Sequence, residues 1–379
     1  MATSNCCEVK AQVLYGPKDL RLIYRKLSPP SAGEVQVEIK ATTLCGSDVH
    51  YYTYYRNGDI QVREPLSPGH EAAGIILSVG PGVEGLEVGD KVALEVGVPC
   101  DDCEDCHAGA YNICEKLRFR SSATKFPHYQ GTLQERLNHP SKWVHKLPAD
   151  MDLAYGALLE PLAVGIHAVN KAEAELGNNC LIIGAGAVGL LCAIAAKAAG
   201  YNNIVMADIA RNRLDFALEN KFADAIQLLE IRKETSTEHC LELAKQDATT
   251  LTAKNNGRMF HRVFECTGVE SCVRTSIYAT RAGGKVLLVG MGVPIQTLPL
   301  SAAALREVSL VGVWRYANCY PGGLQIMNQV VKPGTTLPDI RKLITHRYKG
   351  LESAIEAFGM ASRTRDDGGG LVVKVVIES

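Results

Sequence analysis

The sequence has no apolar run approaching the roughly 20 residues that a bilayer-spanning helix needs. The nearest to one, LIIGAGAVGLLCAIAAKAAG, is broken by glycines. The N-terminal MATSNCCEVKAQVLYG has no apolar core of secretory length and no transit peptide is evident, so the cytosol is expected. A basic excess is also missing: 40 Lys and Arg face 41 Asp and Glu in 379 residues. That argues against nucleic acid or a membrane surface as a partner and points to small-molecule ligands. No internal repeat or low-complexity segment is evident. Cysteine is present in an odd number, 13, which without a secretory signal argues against a disulfide framework. What remains is a globular chain of ordinary composition, 46% apolar and 21% charged. It is too long for one core and is expected to divide into two or three domains.

The first 150 residues read as β structure. EVQVEIKATT (34–43) alternates strictly, with Val35, Val37 and Ile39 on one face. EAAGIILSVG (71–80) and DKVALEVG (90–97) are further short apolar runs between Gly- and Pro-rich turns, as in a small irregular barrel. Near residue 160 the pattern changes to strand and helix in alternation. CLIIG leads through GAGAVG into a small-residue helix closed by Gly200. NIVMAD (203–208), the helical ARNRLDFALEN, RVFECTG (262–268) and KVLLVG (285–290) continue it, which predicts a doubly wound parallel sheet. Residues 227–257 are polar and predict a surface helix with a loop. VSLVGVW (308–314) reads as a return to the first domain, and LVVKVVIE (371–378) as its last strand. The expected division is 1–165 with 304–379 as the β-rich domain, and 166–303 as the inserted one.

GAGAVG places glycines at Gly184, Gly186 and Gly189, after a predicted strand and at the opening of a helix. In that context the motif fits a dinucleotide pyrophosphate, which needs a tight turn, close backbone approach and a helix N-terminus. A glycine turn that binds nothing is the bland alternative. Asp208 ends the next strand, at the offset beyond Gly189 where an acid meets the ribose in such folds. A carboxylate there accepts from an adenosine ribose and repels a 2′-phosphate, which favours NAD over NADP. Arg211 and Arg213 could each meet a phosphate instead, and Arg213 could equally lie against the adenine.

CDDCEDCHAGAYNIC (100–114) sets Cys100, Cys103, Cys106 and Cys114 among four carboxylates. Four sulfurs close a tetrahedral zinc shell with no open position. A redox CxxC wants electropositive surroundings, and these are acidic. Lys116, Arg118 and Arg120 follow and could offset the charge; His107 reads as solvated. Because a closed shell cannot bind substrate, metal chemistry would need other ligands. Cys45 in LCGSDVHYY, His70 and Glu71 in PGHEAAG, and Glu160 in ALLEPLAVGIHA are the candidates. Each also has a bland reading: a buried thiol, a satisfied core histidine, or a carboxylate near a helix start.

Taken together, CGSDVHYY, GHEAAG, VGDKVALE, GAYNICEKLRF, GALLEPLAVGIHA, GAGAVGL, ADIARNRL, ECTGVE, YATRAGGKVLLVGMG, REVSLVGVWRY and THRY resemble the zinc-dependent medium-chain alcohol dehydrogenases, and within them the sorbitol/xylitol (polyol) dehydrogenases. The resemblance implies an α/β protein: a GroES-like β-rich catalytic domain with an inserted Rossmann domain that binds NAD. It implies a catalytic zinc at Cys45, His70 and Glu71, with Glu160 touching zinc-bound water or exchanging into the shell. Which carboxylate binds directly is left open. A structural zinc is implied at the four cysteines. Ser47 and His50 match the proton-relay positions. Tyr51, Glu160, Arg315 and Tyr316 match positions at the polyol. Gly184, Gly186, Val188, Gly189, Asp208, Arg213, Val289, Val313 and Arg315 match NAD contacts. A homotetramer is implied.

The implied reaction is hydride transfer from a secondary alcohol of a polyol to NAD, giving the ketose, with zinc as Lewis acid and Ser47, ribose and His50 carrying the proton. Two stretches depart from the polyol pattern: SSATKFPHYQGTL, which is longer and carries Phe126, His128 and Tyr129, and TYYRNGDIQVREPLSPGHE, which carries Pro68. Both are expected to line or border the substrate cleft. The alternatives are therefore an L-arabinitol or galactitol dehydrogenase, or a biosynthetic enzyme for a bulkier secondary alcohol. A non-catalytic NAD-binding protein is a further rival, which would hold at most the structural zinc.

Overall fold

The computed structural model describes residues 6–173, 175–233 and 235–379. They form two compact units, one from the N-terminal segment up to Glu160 with Arg341–Ser379, the other Pro161–Ile340.

The first unit is built on a sheet of seven strands. In order these are Val144–Lys146, Lys91–Leu94, Glu71–Val79, Glu34–Thr43, Lys374–Glu378 and Ile344–Lys349, with Arg136–Pro140 also on Glu34–Thr43. The alternating 34–43 run is the central strand, and Val35, Val37 and Ile39 are all buried. Its C-terminal end pairs Thr43 with Glu71 and Val376 with Thr43. Strands from the start and the end of the chain therefore meet beside one turn. The helix Gly46–Tyr54 follows directly. Tyr51 on it is packed with Leu14, Leu66, Leu133 and Phe358.

The second unit is a parallel sheet of six strands in the order Ala225–Leu228, Ile204–Asp208, Cys180–Ile183, Phe260–Glu265, Thr280–Leu288 and Ser309–Gly312. Counted along the chain, that is 3-2-1-4-5-6, the order in which the direction of progress across the sheet reverses at the first strand. The small-residue helix Ala187–Ala198 follows the first strand, and Gly200 (φ +83°) closes it. The polar 227–257 stretch contains the helix Thr237–Ala253.

Both boundaries of the second unit differ from expectation. VSLVGVW does not return to the β-rich unit: Ser309–Gly312 pairs in parallel with Lys285–Leu288 as the sixth strand. The second unit therefore runs on to Ile340 rather than ending at 303, and begins at Pro161 rather than 166. The apolar texture of residues 308–314 is equally that of a parallel-sheet strand, and only pairing separates the two cases.

Candidate active site

The helix Gly46–Tyr54 starts at Cys45, which is extended (φ −93°, ψ 156°) and caps it. Its backbone amide donates to Asp48 Oδ2 at 3.1 Å, the reciprocal contact of a capped helix start. The same turn thus sets both the Cys45 thiol and the Asp48 carboxylate. His70 and Glu71 come in at the start of the neighbouring strand. The ligand atoms of Cys45, His70 and Glu71 lie within 4.8 Å of one another.

Asp48 is fully buried. It accepts from Gly69 N at 3.0 Å and Ser121 Oγ at 2.7 Å, and its Oδ1 lies 3.3 Å from His70 Nδ1. Burial alone would raise the Asp48 carboxyl, but the His70 imidazole and these hydrogen bonds hold it below the usual range. Burial opposes charge on His70 as well, yet Asp48 and Cys45 together hold it well above an ordinary imidazole. With Nδ1 engaged by the carboxylate, Nε2 is the nitrogen left for a metal, the arrangement in which an outer carboxylate orients a ligating histidine.

Glu71 is fully buried and is held by two partners, the Thr43 hydroxyl and the Lys374 ammonium. Lys374 is itself 4% exposed and also donates to Leu44 O at 3.3 Å. Burial opposes its charge, but the charges of Glu71, Cys45 and Glu160 outweigh it and raise the Lys374 pKa. Glu160, in the first turn of the helix Leu159–Ala172, is buried near this lysine but outside the Cys45–His70–Glu71 cluster. A Lys374→Met variant should destabilise the metal-free chain by about 3–5 kcal/mol, because it strands a buried carboxylate. A divalent ion would restore the missing positive charge, so the zinc-loaded variant should lose much less. Denaturant unfolding with and without zinc reads both values, and equal losses would contradict the pairing.

Ser47 and His50 share one face of the first helix. Ser47 is half-buried, and its hydroxyl has no partner among the described residues. His50 is exposed, and its Nδ1 is 3.1 Å from Asn57 Oδ1. The amide oxygen only accepts, so in the neutral ring Nδ1 carries the hydrogen and Nε2 is the bare nitrogen. His50 also lines a cavity of about 340 Å³ with Tyr54, Arg56 and Gly58. Tyr51 is 3% exposed in the apolar core, and its hydroxyl accepts from Ala123 N at 3.2 Å.

Cys100, Cys103, Cys106 and Cys114 also gather within 4.8 Å. The sulfur separations of 3.4, 3.6 and 4.0 Å bracket the edge of about 3.8 Å that a tetrahedron with Zn–S bonds of about 2.3 Å requires. The Asp102 amide and neighbouring thiols bring Cys100 down to about 7, while the hydrogen bond to the Cys106 thiol and burial push Cys103 up to about 12, so the first proton that a metal would displace is that of Cys100. His107 is exposed, as expected. The flanking charge is offset differently from expectation: Lys142 pairs with Asp101 at 2.8 Å, whereas Arg118 and Arg120 both lie over the Tyr129 ring.

In the second unit, Gly184 is at φ +106°, and a Cβ on Gly189 would lie 1.8 Å from Gly184 O. Nothing lies within 4 Å of a Cβ on Gly186, the N-cap of the helix Ala187–Ala198. The turn is thus closed on its packing side and open where an anion would meet the helix N-terminus, which suits a pyrophosphate. Asp208 accepts from Ala185 N at 2.7 Å and Ala210 N at 2.8 Å, fixing its carboxylate beside that turn. Arg211 is paired with Asp215 at 2.8 Å, while Arg213 has no such partner among the described residues. Val289 and Val313 follow the ends of adjacent strands, where their amides donate to Glu265 O and Leu288 O. They lie on the same carboxyl edge as Gly184 and Asp208, the edge at which such sheets bind ligands. Val188 is in the first turn of the helix. Arg315 (φ 52°) lies over Trp314, and Tyr316 is buried against Tyr320.

Sequence reasoning missed Asp48, Thr43, Ser121 and Lys374. Asp48 had a signal, sitting in the first turn of a helix that starts at a candidate ligand. Lys374 had another, a lone basic residue inside the apolar LVVKVVIE. The divergent loop is also revised. His128 is 4% exposed; its Nε2 accepts from Arg63 N, its Nδ1 donates to Lys125 O, and its amide meets Glu64. Tyr129 is covered by two guanidinium groups. Pro68 is buried, and its carbonyl accepts from Leu133 N at 3.0 Å. Only Phe126 of the loop's aromatic trio is exposed.

Two family models match the chain: "Alcohol dehydrogenase GroES-like domain" at residues 31–149 and "Zinc-binding dehydrogenase" at 187–329. The sorbitol dehydrogenase of Bos taurus is 36% identical over 369 residues, covering 97% of this chain and 95% of its own length. That of Arabidopsis thaliana is 39% identical over 337 residues, covering 88% and 87%. Among solved structures, L-idonate 5-dehydrogenase from Escherichia coli is similar with a TM-score of 0.84 and 26% identity, covering 100% of both chains. Galactitol-1-phosphate dehydrogenase from Escherichia coli has a TM-score of 0.79 and 27% identity, covering 98% of this chain and 100% of its own.

Proposed function

The chain belongs to the zinc-dependent medium-chain alcohol dehydrogenases, and we propose that it oxidises a secondary alcohol of a sorbitol- or xylitol-type polyol to the ketose, with NAD as hydride acceptor. The observation that carries this reading is the convergence of Cys45, His70 and Glu71, a thiolate, an imidazole and a carboxylate, on one point. Zinc held there supplies Lewis-acid polarisation of the substrate hydroxyl, and NAD held at the glycine turn supplies the hydride acceptor.

The chain's own groups do the rest. Glu71 is the carboxylate of the ligand set, and Glu160 is the nearby outer carboxylate. Ser47 Oγ is the first acceptor of the substrate's hydroxyl proton. His50, with Nε2 bare, passes that proton toward solvent. Arg315 and Tyr316 hydrogen-bond the neighbouring hydroxyls and select which carbon reacts. Gly184, Gly186, Val188 and Gly189 cradle the pyrophosphate. Asp208 holds the adenosine ribose, Arg213 lies along the adenosine, and Val289 and Val313 flank the nicotinamide end with Arg315. A homotetramer in the cytosol completes the proposal.

The test is NAD reduction with sorbitol, xylitol, L-arabinitol, galactitol and ribitol, with bulky secondary alcohols and NADP as parallel arms and zinc measured per chain. Fast turnover of one or two polyols with NAD supports the reading. Silence across the polyols, with two zincs bound, would overturn it in favour of a bulkier alcohol. Among the described residues no helix is long and apolar enough to cross a membrane. Asp208→Ala should lower kcat/KM for NAD by about 10–100-fold, the value of hydrogen bonds to a charged group, and should raise the NADP-to-NAD ratio. An unchanged ratio would remove Asp208 as the discriminating residue.

A further inference from the structure

The long segment after the four-cysteine lobe departs from the polyol pattern, and its aromatic residues are mostly turned inward. One of its side chains reaches the metal cluster indirectly. Ser121 Oγ donates to Asp48 Oδ1 at 2.7 Å, shorter than the 3.0 Å contact from Gly69 N to the same oxygen. That oxygen is also the one facing His70 Nδ1. Ser121 is 2% exposed, so water does not compete for its hydroxyl. Among the described residues, Asp48 has no Lys or Arg partner, so its orientation depends on these donors.

We propose that Ser121 is a positioning residue for the catalytic zinc, aiming the Asp48 carboxylate and through it the His70 imidazole. This rests on the reading that Cys45, His70 and Glu71 hold that zinc. The backbone is built for the task. Ser121 is held at φ 63°, a left-handed conformation that side-chain-bearing residues avoid and that persists only where the surroundings enforce it. The enforcement is visible. Ser121 N donates to Tyr129 O at 2.9 Å. The preceding Arg120, 4% exposed, is clamped by His139 Nδ1 at 3.1 Å, Gln130 O at 2.9 Å and Asn138 O at 2.6 Å, under the Tyr129 ring at 4.2 Å. His139 Nε2 lies 3.1 Å from Glu95 O, a carbonyl that can only accept, so Nδ1 is the bare nitrogen that Arg120 needs. Burial and the Arg120 charge hold His139 well below the ordinary imidazole value, so the acceptor stays neutral. A buried guanidinium fixed at three points therefore determines where the next residue's hydroxyl points.

The test reads metal release rather than turnover. Zinc-loaded wild type, Ser121→Ala and Ser121→Gly are challenged with a chromogenic chelator, and the four-cysteine zinc in the same chain serves as the internal reference. Glycine adopts the left-handed conformation without strain, so it keeps the backbone while removing the hydroxymethyl side chain; it decides the matter if the alanine variant folds poorly. The expected result is loss of the catalytic zinc about 10–100-fold faster in both variants, the usual effect of an outer-shell change, with the reference zinc released at the wild-type rate. In an Asp48→Asn background the same Ser121→Gly change should add little, because the two act in series. Release of the catalytic zinc from Ser121→Gly at the wild-type rate, or equal acceleration at both sites, overturns the proposal. Wild type that binds no second zinc would instead show that the metal reading beneath it has failed.

Discussion

Replacing Cys45 with serine should lower bound zinc from two ions per chain to one, the survivor being at the four cysteines. Turnover of the polyol should fall on the order of 1,000-fold or more, since Lewis-acid polarisation lowers the barrier by several kcal/mol and about 1.4 kcal/mol is a factor of ten. Serine is close to cysteine in size, so the helix start at residue 45 should survive, and the backbone amide there would still donate to Asp48. The variant should therefore fold and bind NAD while losing chemistry. Mass-spectrometric zinc counting, NAD titration by fluorescence and single-turnover kinetics separate these effects. Full turnover in Cys45→Ser would sink the mechanism, and loss of NAD binding together with turnover would point to a folding defect instead.

The second large effect is expected at the opposite kind of site. Cys114 is buried, and its sulfur lies 3.6 Å from that of Cys100. Just before it, Tyr111 donates to Glu95 at 2.5 Å and its ring centroid is 4.8 Å from that of Trp143. The lobe is thus tied to the unit beneath it, and opening the metal shell should loosen both. Loss of a structural metal belongs among the large single-residue effects, about 4 kcal/mol or more. At about 3 °C per kcal/mol for a unit of this size, Cys114→Ser should lower the thermal midpoint by roughly 10 °C. Limited proteolysis should then cut between residues 100 and 114. The zinc at Cys45, His70 and Glu71 should stay bound, the mirror image of the first variant. A wild-type midpoint with both zincs retained would show that the four sulfurs do not form the clip.

The sites differ in how far the sequence announces them. The four cysteines of the 100–114 stretch need only one loop to bring them together, so spacing nearly determines the site. The glycine turn is also local: a strand, three glycines and a helix start are enough to shape it. The Cys45 site is of another kind. Cys45 opens a helix and His70 precedes a separate strand, and the groups that hold their neighbours come from further along the chain still. Ser121 reaches Asp48 across 73 residues, and Lys374 reaches Glu71 across 303. Neither contact follows from periodicity or turn chemistry, which report on residues only a few positions away.

The sequence alone was enough for the α/β character, the alternating central strand 34–43, the dinucleotide turn and the four-cysteine lobe, because each follows from patterns of side chains along a short stretch. The assembled fold was needed to show where 308–314 belongs, since an apolar run pairs with whichever edge is open to it. It was needed to show that His128 and Tyr129 serve packing, because burial is a property of what surrounds a residue. It also brought Lys374 to Glu71, since a strand from the end of the chain closes against one from the beginning only when the whole sheet has formed.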